Sequence, residues 1–313
     1  MAFRLFGQDR IPDSLRKQLS TLPQNNAYVD HLNQVASEYL RTDPAITRAL
    51  TAEALELAPK IRYTRGYARA LTVVGNSYWY EGAYEFAQNY YLLAARQYRV
   101  IDDSIGLGQT YNNIGEIYKK LREYDKALVY LLRSKDLKAK DTATHAITLY
   151  NIGELYVRLD RLDEAKTYID QSMALAKKTH NHRVIAFDYW SLAALKKKEK
   201  NFDTALHYYF ESQKIWKSIG EIRSLIQTSQ DIAEIYCKQK KYDEAEKHLR
   251  EAMQLASRVK VADLQVNNYL HFAQLDSLRG NYHQSLYYLS RHNALKDSVY
   301  NLLKAEQIAR LQT

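Results

Sequence analysis

Small residues recur along the chain at an almost constant spacing, with short polar turns between them. The first series has one member every 38 to 40 residues: Gly75, Gly115, Gly153, Ala193, Ala233 and Ala273. A second series follows the first by twelve residues: Ala87, Ala127, Ala165, Ala205, Ala245 and Ser285. Because a polar turn separates the two series in each unit, every unit is predicted to contain two helices, A and then B.

Other positions keep the same register. Tyrosines stand three residues after the first series at Tyr78, Tyr118, Tyr156 and Tyr236. Small residues stand seven after the second series at Ala94, Ser134, Ser172, Ser212 and Ala252. All four prolines precede residue 60, and a long stretch without proline favours continuous helix. These observations predict an all-α protein.

The small residues have a packing explanation. Two antiparallel helices approach closely only where a side chain is missing or very small, and one helix pair alone cannot bury its apolar face. The six units therefore resemble the tetratricopeptide repeat over nearly the whole chain. This resemblance implies a right-handed superhelical solenoid of antiparallel helix pairs. The period of about 40 residues exceeds the usual 34, which predicts helices longer by half a turn to a turn.

We expect three segments. Residues 1–26 form an N-terminal segment with a short amphipathic helix over 11–22. Residues 27–292 form the solenoid of about seven helix pairs, of which the first is degenerate because neither Thr47 nor Arg48 is the small residue expected there. Residues 293–313 form a charged helix. That helix either caps the last repeat or leads into a further domain.

A candidate peptide-binding groove lies on the A helices, whose inner residues can be read from their offset to the small residue. Its predicted members are Gln109, Asn112, Asn113, Asn151, Trp190 and Asp231. A carboxamide both donates and accepts hydrogen bonds, which suits the gripping of an extended peptide backbone. The alternative is that the amides are tolerated polar residues facing water and that the aromatic side chain packs against a neighbouring helix.

Basic residues also recur, four and five positions after the first series. This basic rim comprises Lys119, Lys120, Arg158, Lys197, Lys198 and Lys238. A row of like charges favours an anionic partner such as an acidic peptide. The alternative is a set of solvated helix ends, where cations are favoured by the helix dipole.

Composition narrows the range of functions. The chain has 45 Lys and Arg against 36 Asp and Glu, a net charge of +9, and one cysteine, Cys237. We find no phosphate-binding glycine loop, zinc motif or nucleophile motif, so we expect no catalytic residues, metal or cofactor. No long apolar stretch predicts a membrane span. We therefore expect a cytoplasmic protein, or a periplasmic one if the sequence is a fragment of a membrane sensor.

A closer resemblance concerns bacterial signalling. The segments Asp13–Leu15, Leu295–Tyr300 and Ala305–Thr313 resemble the repeat-built sensor region of histidine kinases, cyclases and helix-turn-helix regulators. The resemblance implies a non-enzymatic sensor that binds a peptide or protein segment. Separately, unpaired terminal helices could form a homodimer. Two alternatives stay open. One is a peptide-responsive modulator of a response regulator, although about 25 residues before the first repeat are few for that family's additional output domain. The other is nucleic-acid binding through the basic rim.

Overall fold

The computed structural model describes residues 11–40, 42–137, 142–258 and 262–311, and within these ranges it contains fifteen α-helices and no strand. The first eight are α1 Asp13–Ser20, α2 Asn26–Glu38, α3 Pro44–Lys60, α4 Thr64–Tyr80, α5 Tyr84–Val100, α6 Ser104–Lys120, α7 Tyr124–Leu137 and α8 Thr142–Arg158. The remaining seven are α9 Leu162–Lys178, α10 His182–Lys198, α11 Phe202–Ile219, α12 Ile222–Lys238, α13 Tyr242–Arg258, α14 Ala262–Leu278 and α15 Tyr282–Leu311. The even-numbered helices from α4 to α14 are the predicted A helices, and the odd-numbered helices from α5 to α15 are the B helices.

A repeated turn sets the period. Most helices have 17 residues, and a three-residue turn follows, as between α4 and α5 or α10 and α11. The middle residue of the turn is left-handed, with φ of 61° at Arg122 and 60° at Lys240. The next amide donates back to a carbonyl inside the helix, for example from Lys241 to Tyr236 at 2.9 Å, which closes the helix end. Each helix and its turn therefore span 20 residues, and a pair spans the predicted 40.

The first small-residue series lies at close helix contacts, as its spacing predicts. A Cβ atom added to Gly75 on α4 would lie 2.5 Å from the Tyr91 ring of α5. A Cβ atom on Gly115 of α6 would lie 2.7 Å from Leu131 of α7. Such distances are shorter than van der Waals contact, so the two helices can approach this closely only because no side chain intervenes.

The chain divides into two compact units, residues 1–159 and 160–313. In the first unit, α2 to α8 form a stack in which each helix packs on the next. Its core is a succession of small clusters rather than one centre. One such cluster joins Tyr91 of α5 to Ile114 and Ile117 of α6.

The first helix pair is less degenerate than the sequence suggests. Thr47 of α3 is fully buried, and its hydroxyl donates to the carbonyl of Ala36 on α2 at 2.9 Å. Thr47 is not a small residue, and it joins the two helices of this pair by a hydrogen bond at the position where most other pairs have alanine. Ser285 of α15 donates to the carbonyl of Ala273 at 2.7 Å in the same way.

The second unit, α9 to α15, repeats the arrangement. One cluster joins Ala193 of α10, Ala205 and Tyr209 of α11, and Ile232 of α12. The last helix, α15, has 30 residues and continues without a break past the predicted boundary between residues 292 and 293. Residues 1–10 and 312–313, which belong to the predicted terminal segments, lie outside the described residues. Within the described residues, no helix is long and apolar enough to span a bilayer.

Candidate interaction surface

The A helices of each unit present one common surface, which we call the A-helix face. In the first unit it is formed by α4, α6 and α8, where α6 contacts both neighbours. In the second unit it is formed by α10, α12 and α14, where α12 contacts α14. We number positions on each A helix by their offset, the number of residues from that helix's member of the first small-residue series. Residues at the same offset lie side by side on successive A helices.

Amides connect the A helices of the first unit. Asn151 of α8 donates to the side-chain oxygen of Asn112 on α6 at 3.1 Å, and the hydroxyl of Thr148 lies 3.2 Å from the same oxygen. Both asparagines are buried. Their amides are therefore engaged in holding α6 to α8, and a peptide would compete with those bonds.

Two other predicted residues of this unit are more accessible. Asn113 is half-buried, and its amide donates to Asn76 of α4 at 3.3 Å. Asn76 also accepts from the Tyr91 hydroxyl at 2.7 Å. Gln109 is half-buried one turn before Asn113 on α6. These two amides have the exposure that peptide binding requires.

The same offsets pair in the second unit. Trp190 of α10 lies three residues before its small residue, as Asn112 does in the first unit. Asp231 of α12 lies two residues before its small residue, as Asn151 does. The indole nitrogen of Trp190 donates to the Asp231 carboxylate at 2.7 Å. Both residues are half-buried, so the pair forms part of the surface of the A-helix face.

Charges on the A-helix face of the first unit form a compact network. The ammonium of Lys119 on α6 lies 2.6 Å from Glu116 and also bonds to Glu154 of α8. Arg158 binds Glu154 at 2.6 Å. Burial alone would raise the pKa of Glu154, but the positive charges of Lys119 and Arg158 outweigh it and hold that pKa well below its usual range. Burial would likewise lower the pKa of Lys119, but Glu116 and Glu154 outweigh it and raise that pKa.

The second unit has the same arrangement at the same offsets. Lys197 of α10 binds Glu234 of α12 at 2.9 Å, and Lys238 lies 3.4 Å from the same carboxylate. Lys198 binds Asp160 at 2.8 Å. Of the predicted basic rim, Lys120 is exposed and makes no ion pair among the described residues.

These ion pairs correct the assumption that the basic rim is a row of unpaired positive charges. An anionic partner was expected because such a row repels itself, yet five of the six cations form an ion pair with a carboxylate. Glu116, Glu154 and Glu234, each one residue after a small residue, supply most of them. Sequence analysis assigned these acids no role, although in all three units the acid at offset one is followed by a cation at offset five: Lys120, Arg158 and Lys238.

His271 of α14 completes the polar surface of the second unit. It lies two residues before Ala273, and burial lowers its pKa, with Glu234 opposing and Lys197 adding to that change. The described residues contain no cluster of histidine, cysteine and acidic side chains that could hold a metal ion. The polar contacts observed on the A-helix face are hydrogen bonds and ion pairs.

The family follows from a comparison of the sequence with known repeats. The family model described as tetratricopeptide repeat matches residues 66–140, 144–218 and 225–296, well over half of the chain. This chain belongs to the tetratricopeptide-repeat family. No curated protein matches it by sequence.

Several solved structures are similar in fold to this tetratricopeptide-repeat protein. The apo form of RapI has a TM-score of 0.69 at 15% identity, over 87% of this chain and 99% of that one. Aspartyl phosphate phosphatase F from Bacillus subtilis has a TM-score of 0.63 at 14% identity, over 76% of this chain and 62% of that one. The Rap conjugation gene regulator of plasmid pLS20, bound to the Phr* peptide, has a TM-score of 0.58 at 13% identity, over 89% of this chain and 97% of that one. At such identities the likeness shows the fold, and it confirms the predicted helix-pair solenoid.

Proposed function

We propose that this tetratricopeptide-repeat protein is a non-catalytic interaction module that binds a peptide or protein segment on its A-helix face and acts in signal transduction. The observation that carries the proposal is the repeated polar face itself. Ion pairs recur at matching offsets in both units, half-buried amides lie on α6, and an indole donates to a carboxylate between α10 and α12. Such a face offers donors and acceptors at regular intervals to an extended backbone.

The predicted groove residues differ in burial. Gln109 and Asn113 in the first unit, and Trp190 and Asp231 in the second, are accessible enough to touch a peptide. Asn112 and Asn151 are buried, and the hydrogen bond between their side chains joins α6 to α8. Similarity in fold to a Rap regulator bound to a peptide adds support for this class of ligand.

A peptide library selected on the immobilised chain tests the proposal. We expect selected peptides to bind the Gln109→Ala/Asn113→Ala variant at least tenfold more weakly, while its melting temperature stays close to that of the wild type. The matched control is Gln88→Ala/Asn89→Ala, which removes the same two side-chain types from the B helix α5. Affinity unchanged by the A-helix variant, or lost equally in the control, would contradict the proposal.

A second candidate is a modulator of a response regulator that responds to a peptide. The likeness to RapI over 99% of that chain and to an aspartyl phosphate phosphatase favours it. The assay measures the lifetime of an aspartyl phosphate on response regulators from the same source, with and without this protein. A shortened lifetime that a selected peptide restores supports this candidate, and an unchanged lifetime across those regulators removes it.

A further inference from the structure

An open groove lies on the side of the second unit away from the A-helix face, between α13 and α15. Its volume is about 770 Å³, within the range of small-ligand sites. Phe272 and Tyr269 of α14, Tyr288 of α15 and Met253 of α13 line it. The ring of Tyr288 stacks on Phe272 with centroids 5.0 Å apart, so the floor is a continuous aromatic surface.

The preceding repeat shows what fills the equivalent place. There, Phe210 of α11 lies against His248 of α13, with ring centroids 5.9 Å apart. Forty residues later, the corresponding positions are Arg250 and Tyr288. Arg250 does not reach across to α15, because its guanidinium binds Glu246 of its own helix, with Nε 2.8 Å from that carboxylate. The groove is open because Arg250 stands at the position equivalent to Phe210, and its side chain binds Glu246 on its own helix.

The charges around the groove match one another. Arg279 binds Asp243 at 2.8 Å and Glu246 at 2.5 Å. Lys247 and Glu251 add one charge of each sign to the lining. Glu246 also pairs with Arg250, so Asp243 and Glu246 present no unpaired negative charge to a ligand. An uncharged planar ring complements such a site better than an ion does.

We propose that the groove between α13 and α15 binds an uncharged aromatic side chain presented by a peptide segment of a partner protein. The ring lies on Tyr288 and Phe272, at the place that Phe210 occupies one repeat earlier. This site is separate from the A-helix face and does not depend on the function proposed for it.

The test uses N-acetyl-5-fluorotryptophan amide, observed by fluorine NMR with the full chain. We expect saturable broadening with a dissociation constant on the order of 1 mM, as suits a ligand of this size. Arg250→Phe should weaken binding at least tenfold, because the chain's own ring then fills the groove. Lys214→Phe, which adds a ring on the exposed surface of α11, should leave binding unchanged.

A second variant supplies an independent readout. Tyr288→Ala removes part of the aromatic floor and should abolish binding, whether or not Arg250→Phe folds. No saturable binding to the wild type, or undiminished binding to folded Arg250→Phe or folded Tyr288→Ala, would overturn the proposal.

Discussion

Asp188 is fully buried on α10, and one of its carboxylate oxygens has no hydrogen-bond partner within the described part of the chain. Its other oxygen accepts from the Ser172 hydroxyl of α9 at 2.9 Å. Burial raises the pKa of Asp188 to about 8, although the bond from Ser172 acts in the opposite direction and the nearby Asp170 adds to the rise. The folded protein therefore holds a proton here that the unfolded chain releases above about pH 4.

This difference predicts a stability that depends on pH. Between about pH 4 and pH 8 the folded state binds the extra proton, so the contribution of Asp188 to stability falls as pH rises through this range. Asp188→Asn should remove that slope and raise the free energy of unfolding at pH 8 by about 5 kcal/mol relative to the wild type, because each pKa unit of the rise corresponds to about 1.4 kcal/mol. Urea unfolding at several pH values checks it, and parallel pH profiles for the two proteins would contradict it.

Gly75 shows how a single position sets a helix contact. It lies directly over the Tyr91 ring, where even one added methyl group would overlap the ring. Gly75→Ala should therefore lower the free energy of unfolding by about 2 kcal/mol, although alanine favours helix over glycine by about 1 kcal/mol. A variant as stable as the wild type in chemical unfolding would show that α4 and α5 separate at little cost.

At the residue scale, the sequence predicts packing better than polar chemistry. Gly75 and Gly115 could be found because a small side chain has one main use at such spacing. Thr47 was missed because the sequence does not show where its hydroxyl points. The Asn112–Asn151 and Trp190–Asp231 bonds join residues about 40 positions apart, and only the stacking of the A helices reveals them.

At the element scale, successive A helices are joined by polar contacts as well as by apolar packing. The ammonium of Lys119 on α6 binds the carboxylate of Glu154 on α8, and both side chains are buried. A buried ion pair costs desolvation, and the loss of one partner strands the other charge. This contact therefore fixes the position of α6 against α8 more than it adds net stability.

Variants of this pair distinguish positioning from stability. Glu154→Ala should destabilise the protein by about 3 kcal/mol, because Lys119 loses a buried partner. The double variant Lys119→Met/Glu154→Leu should recover most of that loss, since apolar groups fill the same space. The pKa of Glu154 is depressed, so wild-type stabilisation by this pair is present above its usual pKa and is lost at lower pH. A double variant as unstable as the single one would contradict this account.

For the whole molecule, the repeat explains why the fold can be predicted from the sequence more readily than the ligand. Each helix pair depends on its neighbours, so a pattern of small residues every 40 positions is enough to indicate the stack. The ligand depends on side chains that vary from repeat to repeat. The row of basic residues suggested an anionic partner, yet most of these cations are matched by acids such as Glu154 and Glu234.

The most direct test of the account is hydrogen–deuterium exchange of the full chain with and without a peptide selected from the library. A peptide held by the A-helix face should slow exchange in α4, α6 and α8, or in α10, α12 and α14, while the B helices between them change little. Slower exchange confined to the B helices, or no change on binding, would contradict the assignment of this face as the interaction surface.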